Sequence, residues 1–183
     1  GNTRDSYAIA AHAGADLVDM EQCQFLPFSL ASPPSYEGLL VGEPVTASYL
    51  GVLRDRNGKI ILDSVYQRTR AECSAAIMRA VADGRGGPNG GAYLDMTGNK
   101  SLPRSGPYLL QFLQTSLPPA YPNARQALSK AAALCDEMWE VRPSAHYHMV
   151  GLRADAEGAA VSGEGEGNRA LGIEGLFAAG QSM

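Results

Sequence analysis

The chain has 183 residues, 45% of them hydrophobic and 19% charged, the make-up of an ordinary globular domain with enough length to bury one real core. Its net charge of −4 comes without a basic cluster, which argues against nucleic acid or an anionic membrane as a direct partner. No apolar run reaches membrane-spanning length and the first residues do not read as a signal peptide, so no direct membrane insertion is expected. Cys23, Cys73 and Cys135 are odd in number and lack close spacing, which points to reduced core thiols in a cytoplasmic protein, with no disulfide framework and no metal site.

Residues 5–13 predict a short helix ending at Gly14, a residue suited to the left-handed position after a helix. His12 sits near its end, where an imidazolium suits the helix dipole, and reads as structural. Residues 15–25 are mainly extended, and 26–36, with Pro27, Pro33 and Pro34, read as a loop. Segments 49–53 and 59–62 flank a turn holding Asn57-Gly58, a strong β-hairpin signal.

The clearest helix covers 70–83: Cys73, Ala76, Ile77, Ala80 and Val81 make one apolar stripe, while Glu72, Arg79 and Asp83 take the other face. Gly84 closes it, and a glycine-rich loop at 84–91 leads to a strand at 92–96. That loop lacks the Lys-Ser/Thr of a phosphate-binding P-loop and precedes a strand, so it is not a nucleotide cradle. Pro107 suits a first turn, and Leu109, Phe112 and Leu113 carry a helix to about residue 116. Asn123 caps a further helix, in which Ala124, Ala127, Leu128, Ala131, Leu134, Cys135 and Met138 repeat to about residue 140. A strand at 149–154, a turn at 155–158 and a partner strand at 159–162 follow, then an acidic loop at 163–168 without chemistry of its own.

The richest stretch is Arg142-Pro143-Ser144-Ala145-His146-Tyr147-His148-Met149-Val150-Gly151, which gathers two of the three histidines. Pro143 holds Arg142 out of the helical region, so the stretch is extended, and in a strand His146 and His148 point the same way. On the residues alone, a polar strand with hydrogen-bonded imidazoles and a functional site stand level.

This stretch resembles the "R/I-P-x-x-H-Y-x-M-G-G" segment of the succinate dehydrogenase/fumarate reductase flavoprotein family, which includes L-aspartate oxidase. Four more stretches match in the same order. Residues 13–25, AGADLVDMEQCQF, resemble "AGAxLxDMExxQFHPT"; Arg70 with Ile77 resembles "RDxVxxAI"; residues 90–95, GGAYLD, resemble "GGVYLD"; and residues 173–180, IEGLFAAG, resemble "IPGLYAAGE". In that family an α+β capping domain is inserted into a discontinuous FAD-binding domain. The resemblance implies a stub of the FAD-binding domain at 1–15, a substrate-capping, catalytic domain at 16–170, and a return stub at 171–183. No strand followed by G-x-G-x-x-G occurs, so the chain reads as a piece of a longer FAD-dependent oxidoreductase acting on a carbon–carbon bond. Alone, it is expected neither to hold FAD tightly nor to turn over.

The resemblance also implies roles. Arg70 matches the family's proton-transferring arginine, and a cation at a helix N-terminus, facing the positive end of the dipole, calls for a nearby anion such as a dicarboxylate substrate. Arginine is effectively always protonated, so the family supplies an acid from "TEAxRG"; here Val41-Gly42-Glu43-Pro44-Val45-Thr46 keeps Glu43 and Thr46 but not the spacing. Glu43 and Thr46 join His146 as substrate-binding candidates, His146 matching the carboxylate-binding histidine. Tyr147, Gly151, Gly180 and Gln181 fall at cofactor-binding positions, with Val150-Gly151 standing where the family has a glycine pair and Gln181 where it has a glutamate. The family's "HPT" is replaced by Leu26-Pro27-Phe28, which removes a substrate histidine and adds apolar bulk. Expected partners are a small carboxylic acid and the FAD-binding domain of the same parent chain; a further candidate is an electron-transfer subunit. The alternatives are a degenerate, non-catalytic module of this fold, or a dehydrogenase for a bulkier, less charged substrate.

Overall fold

A computed structural model describes residues 5–103, 106–116, 120–165 and 169–180. The chain divides into two units, one formed by Gly1–Gln24 and His146–Met183 and the other by Phe25–Ala145.

In the first unit, α1 (Asp5–His12) is followed by β1 (Leu17–Val18), which pairs antiparallel with β8 (Gly151–Leu152), while β9 (Ala159–Gly165) pairs with β10 (Arg169–Phe177). Gly14 takes φ +90° after α1, as expected of a residue closing a helix. The His12 ring nitrogen Nδ1 lies 2.7 Å from the Ala8 carbonyl oxygen, in keeping with a structural role at the helix end. Ala10, Ala15, Leu152, Ala160 and Ala178 form a small core. The 155–158 turn is built by the Asp155 carboxylate, which accepts the amides of Glu157 and Ala159. Of the expected acidic loop, 163–165 instead extend β9, and 166–168 lie outside the described residues.

The second unit is dominated by a six-stranded sheet. Its members are β2 (Cys23–Leu30), β3 (Leu40–Gly42), β4 (Val52–Arg54), β5 (Ile60–Leu62), β6 (Ala92–Asp95) and β7 (Trp139–His148), in the order β3-β2-β7-β6-β4-β5. The chain passes from the first unit to the second within β2 and returns within β7. The helices are α2 (Arg70–Ala82), α3 (Thr97–Lys100), α4 (Gly106–Ser116), α5 (Ala120–Ala127) and α6 (Lys130–Ala133). Phe28, Leu30, Leu53, Ile77, Leu94, Leu109, Trp139 and Val141 fill the core between sheet and helices. The α+β class is as expected.

Three local expectations need correction. The segment 26–36 is not a loop throughout: Leu26 to Leu30 complete β2, and Pro27 is a buried strand residue. The long helix from Asn123 to about 140 does not exist. Asn123 lies inside α5, where its amide donates to the Leu40 carbonyl; the chain restarts at Ser129, whose hydroxyl caps α6; and Trp139 opens β7. The 54–58 hairpin forms, but with φ +78° at Gly58 alone and the Asp55 carboxylate accepting the amides of Asn57 and Lys59, a three-residue loop in place of an Asn-Gly two-residue turn. The glycine-rich loop is tied down by Glu140, which accepts the Asn89 amide and side chain at 2.9 and 2.7 Å, consistent with its exclusion as a phosphate cradle.

Burial pushes the Cys73 and Cys135 thiols up to about 12, which keeps them protonated and unreactive. Asp95 joins three elements: it accepts Arg54 of β4 at 2.7 Å and both the amide and the hydroxyl of Thr97 at the start of α3. Burial alone raises its pKa, but the hydrogen bonds from Thr97 and Arg54 outweigh it and hold the carboxyl below the usual range. A depressed folded pKa stabilises above the unfolded value, near ~4, and is lost as pH falls through the lower folded value. Asp95→Asn is therefore expected to destabilise more at pH 7 than at pH 3, measured by urea denaturation at both.

Candidate active site

The start of α2 is set by a reciprocal cap. Thr69, extended at φ −75° and ψ 159°, accepts the Glu72 amide on its hydroxyl at 3.2 Å, and Glu72 Oε2 accepts the Thr69 amide and hydroxyl at 2.8 and 2.9 Å. The Thr69 backbone bond, then its hydroxyl, holds the Glu72 carboxyl below its usual range. The Thr-x-x-Glu signal was present in the sequence and is the feature that fixes Arg70 as the first helical residue.

Arg70 donates from Nε and Nη2 to the two carboxylate oxygens of Glu43, at 2.9 and 2.8 Å. The carboxylate side chain is only 11% exposed and the guanidinium side chain 41%, so the pair is rooted inside and reaches solvent on the arginine side. This two-pronged geometry is the strongest form of the interaction. The anion that offsets the helix dipole is thus the chain's own Glu43, where the sequence suggested a substrate.

Glu43 is held from behind. It precedes the 3₁₀ turn Pro44–Ala47, and its amide donates to Thr46 Oγ1 at 2.9 Å while that hydroxyl donates back to the Glu43 carbonyl at 2.7 Å. Thr46 is buried, its hydroxyl engaged with backbone. Arg70, Glu43 and Thr46 therefore meet in one unit, although the sequence spacing gave no basis for aligning the segment.

His146 lies in the first unit, exposed, at the far end of β7, where His148 also falls. Its Nδ1 is 2.9 Å from Gln24 Oε1. With an amide oxygen as partner, Nδ1 carries the proton and Nε2 the lone pair in the neutral ring. Gln24 entered the sequence reading only as the glutamine of the "QF" match; nothing there tied it to His146, 122 positions away. The Tyr147 side chain and Gln181 lie outside the described residues. Phe28 is fully buried in the main core and Leu26 is 4% exposed, so Phe28 adds its bulk to the core and not to an open cleft.

The model of the FAD binding domain family matches residues 1–183. The chain is 35% identical over 181 residues to one of the subunits of the fumarate reductase (CoM/CoB) of Methanothermobacter marburgensis, covering 97% of this chain and 29% of that protein. The chain is a member of the succinate dehydrogenase/fumarate reductase family of FAD-binding flavoproteins. It is also 32% identical over 157 residues to an uncharacterized FAD-dependent oxidoreductase of Methanocaldococcus jannaschii, covering 82% of this chain and 26% of that protein. Among solved structures, the apo form of the Mycobacterium smegmatis Sdh1 complex aligns with a TM-score of 0.61 and 31% identity, over 97% of this chain and 26% of that one.

FAD is the cofactor of the flavoprotein family. Of the residues expected to touch it, Gly180 is exposed at φ +63°, and a Cβ built there would meet nothing within 4 Å. Gly151 is buried in β8 opposite Val18. The glycine loop that binds a dinucleotide pyrophosphate is not among these 183 residues. Among the described residues no cluster suited to a metal ion occurs, and no helix is long and apolar enough to cross a membrane.

Removing the cap should loosen the start of α2. Thr69→Ala is expected to cost about 1 kcal/mol by urea denaturation.

Proposed function

We propose that this chain is the substrate-capping part of an FAD-dependent oxidoreductase that reduces or oxidises a carbon–carbon bond next to a carboxylate. The observation that carries this reading is the two-pronged Arg70–Glu43 pair at the first residue of α2. Residues 16–170 form the capping, catalytic part in this proposal, with 1–15 and 171–183 belonging to the FAD-binding domain. The flavin, when bound, would donate a hydride in its reduced form or accept one in its oxidised form, and Gly180 is the residue here best suited to lie against it.

The chain's own residues handle the proton and the carboxylate. A guanidinium gives up a proton only at high cost, so Arg70 needs a base-acid partner already in contact, able to return a proton as one leaves. Glu43 has that position, bonded to Arg70 at 2.8 and 2.9 Å. Glu43, ionised as it accepts both Arg70 bonds, is assigned to take up a proton from solvent and pass it to Arg70 after the guanidinium has given one up, and Thr46 to hold Glu43; both were expected to touch substrate. His146, with its tautomer set by Gln24, is assigned to hold the substrate carboxylate.

Leu26, where the family has a carboxylate-binding histidine, is apolar and buried, which favours a substrate with fewer charges than a dicarboxylate. The three free thiols support the cytoplasmic location expected of a reducing compartment. The test uses the full-length protein loaded with FAD, a reduced viologen dye and a panel of unsaturated mono- and dicarboxylic acids. Arg70→Lys is expected to lower kcat by roughly 10²–10⁴-fold with FAD still bound. A wild-type protein that binds FAD and turns over no acid in the panel would establish the degenerate, non-catalytic module instead.

A further inference from the structure

Asn99 is a polar side chain with no exposed surface, on the short helix α3. Its Oδ1 accepts the Leu50 amide at 2.8 Å, and its Nδ2 donates to the Ala47 carbonyl at 2.9 Å and to the Met96 carbonyl at 3.3 Å. A buried asparagine that merely satisfied a relaxed loop would sit against ordinary backbone. The segment it grips is not ordinary. Ser48 stands at φ +58° and ψ −175°, a conformation that L residues rarely adopt, and a Cβ at Gly51 would lie 2.2 Å from the Ala47 carbonyl oxygen. Such a segment persists only where its surroundings over-determine it, and strained backbone of this kind collects at functional sites.

What the segment supports is next to it. Ala47 ends the 3₁₀ turn, Thr46 immediately before it holds the Glu43 backbone at both amide and carbonyl, and the Glu43 carboxylate grips Arg70. A continuous run of hydrogen bonds and covalent backbone therefore joins Asn99 to the guanidinium. We infer that Asn99 is a positioning residue for proton delivery, setting the distance between Glu43 and Arg70 through the Ala47–Leu50 segment. This inference rests on the proton-transfer reading of that pair.

The experiment uses the full-length, FAD-loaded protein and the unsaturated acid that the wild type reduces fastest. Asn99→Ala is expected to lower kcat by about tenfold or more, since a small displacement of reacting groups is that costly, while KM and FAD content stay near wild type. The solvent deuterium isotope effect on kcat should rise as proton delivery becomes limiting, a change that a purely structural role would not produce. Because glycine adopts the Ser48 conformation without strain, the same substitution is also made in a Ser48→Gly background, which keeps the segment foldable without the clamp. The effect of Asn99→Ala in that background is read against Ser48→Gly alone. Asn99→Ala with wild-type kcat and isotope effect in either background, alongside an inactive Glu43→Gln, overturns the inference alone. A Glu43→Gln variant that still turns over overturns the proton-transfer reading beneath it.

Discussion

The Arg70–Glu43 ion pair is the constraint that ties the start of α2 to the turn after β3. A cation at the first residue of a helix faces the positive end of the macrodipole, at a cost of roughly 0.3–1 kcal/mol. The pair offsets that cost, yet it is no large source of stability, because the arginine side chain is 41% exposed and solvent screens it. Its value is geometric. Two parallel N–H···O bonds hold a planar guanidinium in one orientation, and the carboxylate is itself rooted where only 11% of it meets solvent. Local preference is overridden at this one helix terminus while the capping residues on either side, Thr69 and Glu72, obey it fully.

How legible this was differs from element to element. Helix α2 was readable because its apolar stripe, its closing Gly84 and its length all agree. The hairpin was readable from Asn57-Gly58, although the Asp55 carboxylate decides the turn geometry, and a side chain bonding two amides leaves no periodic trace. The segment from Asn123 to Trp139 misled for a specific reason. Ala131, Ala132 and Ala133 sustain a helical pattern across a break that Ser129 marks, and Cys135 ends it at φ +58°, a conformation unmarked by glycine. Pro27 misled because proline usually argues against a strand interior, yet β2 buries it.

The site was legible only in part. Arg70 and His146 came from motif resemblance, not from periodicity or charge. Glu43 was recognised as a leftover of a motif whose spacing had changed. Only folding shows that the 27 positions between Glu43 and Arg70 are closed by two direct bonds. Asn99 carried no signal at all, and Gln24 carried only its place in a motif, since a single polar residue acquires its role from what it touches.

The residues assigned to proton transfer and those assigned to recognition hang on different supports. Glu43 is held by Thr46 and by the 3₁₀ turn, and Arg70 by the cap of α2; neither bond set includes β2 residue Leu26. His146 is oriented by Gln24. Leucine stands at position 26, where the family motif has histidine, in a chain that makes every hydrogen bond of the Arg70–Glu43–Thr46 set. Substitutions without shared partners act nearly independently. In this chain Leu26 is buried in β2 while the Arg70–Glu43 pair keeps both of its bonds.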